Sequence, residues 1–236
     1  MLQNLIQDLN KVSNPRKAKF SARYFKTGKG EYGEGDVFLG LTSNQIKVVA
    51  KKYSNLDLVS LGKLLDSKIH DERTCALRIL VDQYEKAKKI KDGHLKKRLD
   101  DFYLQNVRRG RVNNWDLVDM SAPKILGDYL LDKNKDILYD LVRSKNLWSR
   151  RVVVLSTFAF IRQNKFFDSL KIAKILISDR EDLIQKAIGW MLREVGKKNL
   201  EVEINFLNKF YQKMPRTTLR YAIEKFNDQD RKKYLA

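Results

Sequence analysis

The chain has 236 residues, enough for one mid-sized domain spanning residues 1–236, and its 43% apolar content can bury a core without help from metals or disulfides. Cys75 is the single cysteine, which excludes an intramolecular disulfide and a cysteine-built metal cage and fits a reducing, cytoplasmic compartment. The 48 Lys and Arg against 29 Asp and Glu leave a formal charge of +19, more than solubility requires, so a polyanionic partner is expected: DNA, RNA or anionic lipid.

The opening segment, MLQNLIQDLNKVSNPRKAKF, is polar at every third or fourth position and lacks the apolar stretch of a signal peptide. No apolar run approaches the roughly 20 residues of a membrane span, so no membrane association is expected. Between the second and third expected helices lies GKGEYGEGDVFLG, residues 28–40. Gly28, Gly30 and Gly33 satisfy the G-x-G-x-x-G spacing of nucleotide loops, but ARYFKT before them does not read as a strand, and Glu31, Glu34 and Asp36 would repel phosphate. The segment is expected to be a mobile connector, long enough to touch DNA.

Beyond it, apolar residues recur at three- and four-residue steps in DERTCALRILVDQYEKAK, LWSRRVVVLSTFAFIRQ, FDSLKIAKILI, REDLIQKAIGWMLREVGK and LEVEINFLNKFYQKM. With only three prolines and abundant Leu, Ile, Lys and Glu, the fold class is all-α, with about a dozen helices. Helix starts are expected at Asn55, Asp71, Ser121 with Pro123 just inside, and Pro215. Aligned by hand, ERTCALRIL, WSRRVVVL and LIQKAIGW place Cys75, Arg151 and Lys186 in equivalent positions, at offsets of 76 and 35 residues. One further unit between the first two gives a period of about 35 to 40, that of a two-helix repeat which stacks because a lone pair cannot bury its apolar faces.

The segment NNWDLVDMSAP sets Trp115 and Asp119 four residues apart, an aromatic ring and a carboxylate on one helical face. Tryptophans in helical proteins are usually core residues, and spacing alone leaves that reading open. Trp148 in NLWSRR and Trp190 in KAIGWMLREVGK complete the three tryptophans, and in the repeat alignment Trp190 lies one turn beyond the position of Arg151.

NNWDLVD, LWSRR and AIGWMLREVGK, in this order and separation, resemble the signature segments of the HEAT-like repeat DNA glycosylases of the AlkD type. GEYGEGDVFLG and ERTCALRIL resemble segments of the wider DNA alkylation repair superfamily, although the long glycine-rich connector departs from the glycosylase pattern. The resemblance implies a right-handed α-solenoid of HEAT-like repeats whose concave, basic groove grips duplex DNA. It also implies hydrolysis of the N-glycosidic bond of cationic N3- or N7-alkylated purines, base excision repair of alkylation damage. Position by position, it implies a catalytic Asp119, lesion-contacting Trp115 and Trp190, and a DNA-backbone arginine at Arg151; Trp148 matches no functional position and reads as core.

The chemistry agrees independently. An alkylated purine already carries positive charge, departs neutral and needs no general acid, so one carboxylate suffices to stabilise the oxocarbenium-like sugar while aromatic faces attract the cation. Further backbone contacts are expected from Arg108, Arg109 and Arg111, and from Lys186, Arg193, Lys197 and Lys198 around Trp190, with Arg216, Arg220, Arg231, Lys232 and Lys233 extending the groove. Lysine runs such as KAKKIKDGHLKKR read as solvated faces. His70 and His94 have no partner at metal-ligand spacing and read as structural or exposed; neither a metal nor an organic cofactor is implied. A monomer is expected, and the composition looks bacterial. Two alternatives share the fold: a non-catalytic protein that binds structured or damaged DNA, and a scaffold for an acidic protein.

Overall fold

The computed structural model describes residues 1–235, and polar residues that interrupt the apolar periodicity cap its helices. The chain packs as two compact units that divide after Ser121. The first holds α1 (Leu2–Lys11), α2 (Pro15–Tyr24), α3 (Ser43–Lys52), α4 (Leu58–Leu65), α5 (His70–Lys89), α6 (Gly93–Arg108) and α7 (Trp115–Ser121). Asn14 accepts from the Lys17 amide with Pro15 in the first turn, Thr42 and Gln45 close a capping box, and Asp57 and Asp92 cap α4 and α6. The expected start at Asn55 therefore falls two residues early. Helix α5 runs through the core of this unit, with Cys75, Leu77, Ile79, Leu80 and Tyr84 buried, and α3, α4, α6 and α7 pack around it.

Asp71 does not cap α5, which starts one residue earlier; its carboxylate instead accepts from the amides of Leu39 (2.8 Å) and Leu41 (3.0 Å). That bond corrects the expectation of a mobile connector. Val37 bridges to the segment before α5, its amide donating to Lys68 and its carbonyl accepting from His70, and the Asn14 amide donates to Leu39. Gly40 closes the turn at φ 78°, where a Cβ would collide with the Asn14 carbonyl oxygen. Glu31 and Glu34, which argued against phosphate, accept from the amides of Gly28 and Gly30.

The second unit opens with a π-helical turn, Pro123–Gly127, followed by α8 (Asp136–Leu141), α9 (Leu147–Arg162), α10 (Phe167–Ile175), α11 (Asp182–Lys198), α12 (Leu200–Phe210), α13 (Arg216–Ala222) and α14 (Asp228–Leu235). Ser121 ends α7 instead of capping the turn at Pro123: its hydroxyl donates to the Leu117 carbonyl and pairs with Tyr103 Oη at 2.9 Å. Helix α9 is buried on nearly every face, from Trp148 through Ile161, which makes it the centre of this unit. Trp148 is core, as expected. Close backbone approach holds α11 to α13, where a Cβ on Gly189 would collide with the Thr218 carbonyl oxygen.

The internal repeat has a structural mark. Arg73 in α5, Arg150 in α9 and Gln185 in α11 each occupy the fourth position of their helix and each donate to the carbonyl six residues back, Ser67, Ser144 and Asp179. The α9-to-α11 offset agrees with the sequence alignment, whereas the α5-to-α9 offset is one residue longer. Both arginines also bind a carboxylate at 2.7 Å, Asp36 for Arg73 and Asp179 for Arg150. The fold is all-α, and among the described residues no strand forms beyond the isolated Val37–Ile69 bridge.

Candidate active site and DNA-binding surface

Helix α7 is short, and its first turn is fixed by side chains. Asn114, fully buried, accepts from the Trp115 amide through Oδ1 at 2.9 Å and donates to Asp36 through Nδ2 at 3.3 Å. Trp115 lies parallel to Phe25, with ring centroids 5.3 Å apart and planes 11° apart, and Tyr24 meets it edge-on at 6.0 Å. The stack continues through Phe38 to the His70 ring, at 5.0 and 4.7 Å. Asp119 is half-buried one turn beyond Trp115 on the same face of α7. Burial, together with the carboxylates of Asp100 and Asp119, pushes the Tyr103 phenol well above its usual range.

A cavity of about 260 Å³ opens beside the stack, lined in part by Phe25, Phe38, His70, Trp115 and Asp116. Asp119 is not in its wall. His70 Nε2 pairs with Asp116 Oδ2 at 2.9 Å and Nδ1 lies 3.5 Å from Asp36. Burial opposes charge on this imidazole, but the two carboxylates outweigh burial and hold its pKa above the ordinary histidine value. Burial likewise works against charge on Asp36, and His70 and Arg73 overcome it, lowering the carboxyl below the usual range. Asp116 Oδ1 is buried with no hydrogen-bond partner among the described residues.

In the second unit, the Trp190 ring is half-buried, tilted against Phe158 at 5.9 Å, and its Nε1 donates to Glu194 at 3.0 Å. Arg151 is only 5% exposed and donates to the Leu183 carbonyl, so in this structure its guanidinium is turned into the protein. The expected phosphate contacts are mostly engaged locally. Arg109 and Arg111 share Asp66 at 3.0 and 2.7 Å, Lys186 pairs with Asp182, Arg193 with Glu224 and Lys197 with Glu194. Such exposed or half-exposed pairs contribute at most about 1 kcal/mol and yield readily to a polyanion. Arg108 and Lys198 are exposed and have no paired carboxylate among the described residues. At the C-terminal end, Arg216 donates to the Leu235 carbonyl, Arg231 and Lys233 pair with Asp228 and Asp230, and Arg220 and Lys232 are exposed.

A family model described as "DNA alkylation repair enzyme" matches residues 5–226. The chain belongs to this family. Membership makes DNA the partner class and repair of alkylated DNA the broad activity. Among solved structures, the chain is similar to one described as a predicted DNA alkylation repair enzyme from Enterococcus faecalis, 17% identical with a TM-score of 0.69, covering 92% of this chain and 97% of that one. It is also similar to AlkD2 from Streptococcus mutans, 16% identical with a TM-score of 0.51, covering 96% and 97%. At these identities the likeness establishes the fold. No curated protein matches the chain.

Sequence reasoning read His70 as structural or exposed and Asp36 only as an acidic residue of the connector, gave Phe25 and Phe38 no role, and passed over Asp116 in favour of Asp119. The adjacent Asp116 was visible in NNWDLVD, but His70 had no local signal because its partners come from other elements. Among the described residues no cluster of three His, Cys, Asp or Glu is arranged to hold a metal, and no helix is long and apolar enough to cross a membrane.

Proposed function

We propose that the protein is a DNA glycosylase that hydrolyses the N-glycosidic bond of cationic N3- or N7-alkylated purines in duplex DNA, working as a cytoplasmic monomer in which both units form one DNA-binding domain. The observation that carries this reading is the Trp115–Asp119 pair on one face of α7, in a chain of the DNA alkylation repair enzyme family. Asp119 stabilises the positive sugar as the C1′–N bond breaks, the bonding pair neutralises the departing base, and water adds to C1′ with its proton passing to the carboxylate. The Trp115 face adds cation–π attraction to the charged base, and Trp190 offers a further aromatic face to the DNA. Backbone phosphates are held by Arg108, Arg109, Arg111, Lys186, Arg193 and Lys197, which exchange their local carboxylates for DNA. Because the lesion is already labile, so sparse a site suffices, and neutral bases such as uracil are poor substrates.

Burial of Arg151 favours a second reading, a non-catalytic protein of the same fold that binds damaged or structured DNA. The two part on one assay: release of 7-methylguanine and 3-methyladenine from methylated duplex DNA by the wild type and by Asp119→Asn. Release lost in the variant with DNA binding intact supports the glycosylase, whereas tight binding without release by the wild type overturns it.

A further inference from the structure

Helix α2 is the one helix of the first unit that buries no residue at all. Yet it carries two of the most exposed rings of the chain, Phe20 at 70% and Tyr24 at 57% exposure. One turn apart, they lie with centroids 6.3 Å apart and planes 12° apart, a flat aromatic strip open to solvent. Arg16 and Arg23 fall on the same stripe at four residues before and three after Phe20, and Lys17 and Lys19 flank it. No acidic residue occurs in the helix, and none of these four cations has a paired carboxylate among the described residues. Exposed apolar rings cost solvation without contributing to the core, so such a strip amid unpaired positive charge marks a surface for a flat, anionic partner.

The strip does not end at α2. Tyr24 meets Trp115 edge-on and Trp115 stacks on Phe25, so an aromatic run leads from the exposed helix to the cavity beside α7.

We propose that the outer face of α2 is a stacking platform for a nucleobase displaced from the DNA duplex, with Phe20 and Tyr24 taking the base and Arg16, Lys19 and Arg23 the adjoining phosphates. The proposal rests on the DNA-binding reading and is independent of glycosylase activity. Every base offers a π-face, so the platform is indifferent to sequence and responds to whether a base is unpaired. An anionic membrane would also attract the charge, but two rings on one short helix offer far less apolar surface than an interfacial helix inserts.

The test compares a fully paired duplex with one carrying a single bulged 2-aminopurine, reading affinity and fluorescence quenching for the wild type, for Phe20→Leu with Tyr24→Leu, and for Arg16→Gln with Arg23→Gln. The leucine pair keeps helix propensity and apolar bulk while removing the rings. The wild type is expected to bind the bulged duplex about tenfold more tightly and to quench its probe. The leucine pair should lose preference and quenching and keep its affinity for the paired duplex, and the glutamine pair should weaken both duplexes together. Wild-type preference absent, or unchanged in the leucine pair, overturns the platform and spares the DNA reading; no binding to either duplex overturns both. Ring-dependent binding to phosphatidylserine vesicles without any preference for the bulge assigns the surface to membranes instead.

Discussion

His70 Nε2 lies 2.9 Å from Asp116 Oδ2 while the other nitrogen of the same ring faces Asp36, so a single buried imidazole ties the glycine-rich connector to the helix that carries Trp115 and Asp119. Arg73 binds Asp36 from α5, and Asn114 binds it from the turn before α7, so three segments converge on two carboxylates and one ring. Burial opposes charge on this ring and the two carboxylates favour it, so the strength of the tie follows the charge of His70.

The pH dependence is set by the sign of that shift. A histidine whose folded pKa is raised contributes stability that is complete below its unfolded value of about 6.5 and is lost as pH rises through the folded value. The lowered pKa of Asp36 acts oppositely, contributing above its unfolded value and failing only in acid. In urea unfolding, His70→Gln should therefore cost about 1–3 kcal/mol at pH 5.5 and distinctly less at pH 8.5. An equal cost at both pH values would show that the ring acts by packing alone.

Glu203 is a buried carboxyl of α12 that the proposed chemistry does not use. Burial raises its pKa to about 8, with Arg193 pulling the other way. A raised carboxyl binds more protons folded than unfolded, so stability falls as pH climbs from about 4.5 to 8. Glu203→Gln should stabilise the protein at pH 8 by about 1–3 kcal/mol and do little at pH 4.5. Destabilisation at pH 8 would mean that the ionised carboxylate is satisfied.

Gly189 has no room for a side chain against the α13 backbone. Gly189→Ala should lower stability by about 1–3 kcal/mol despite the better helix propensity of alanine, because backbone must move to relieve the clash. Thermal unfolding showing unchanged or raised stability would contradict that packing.

Arg108 and Arg109 are neighbours with different engagements. Arg109 already binds Asp66, whereas Arg108 is exposed with no paired carboxylate among the described residues. If Arg108 neutralises one phosphate, Arg108→Ala should reduce the slope of log affinity against log salt by about 0.9 and weaken binding to all duplexes alike. Arg109→Ala should cost less, since its wild-type charge must first leave Asp66. Equal effects would mean that the Asp66 pair offers no competition.

Much of this was written locally. Helical periodicity is decided within a few residues, so the all-α class was legible; of the expected helix starts, Pro215 opens its helix, whereas Asn55 falls two residues early and Asp71 and Ser121 are used elsewhere. The i, i+4 relation of Trp115 and Asp119 and the burial of Trp148 belong to the same scale.

What only the tertiary structure decided depends on groups brought together from distant positions. Asp71 looked like a helix cap because acidic residues favour that place, but its carboxylate satisfies amides 30 and 32 residues away and so anchors a connector whose glycines suggested mobility. Arg151 carried the charge of a phosphate ligand, yet α9 is buried on nearly every side and its guanidinium finds a carbonyl instead. His70 had no nearby partner in sequence, and packing of α7 against α5 placed Asp116 within hydrogen-bond distance. The chain by itself determined which stretches are helical, which rings and carboxylates share a face, and that the partner is polyanionic. Tertiary packing decided which of the charged groups point outward and which are used up inside, because a buried charge must find a partner wherever the fold supplies one.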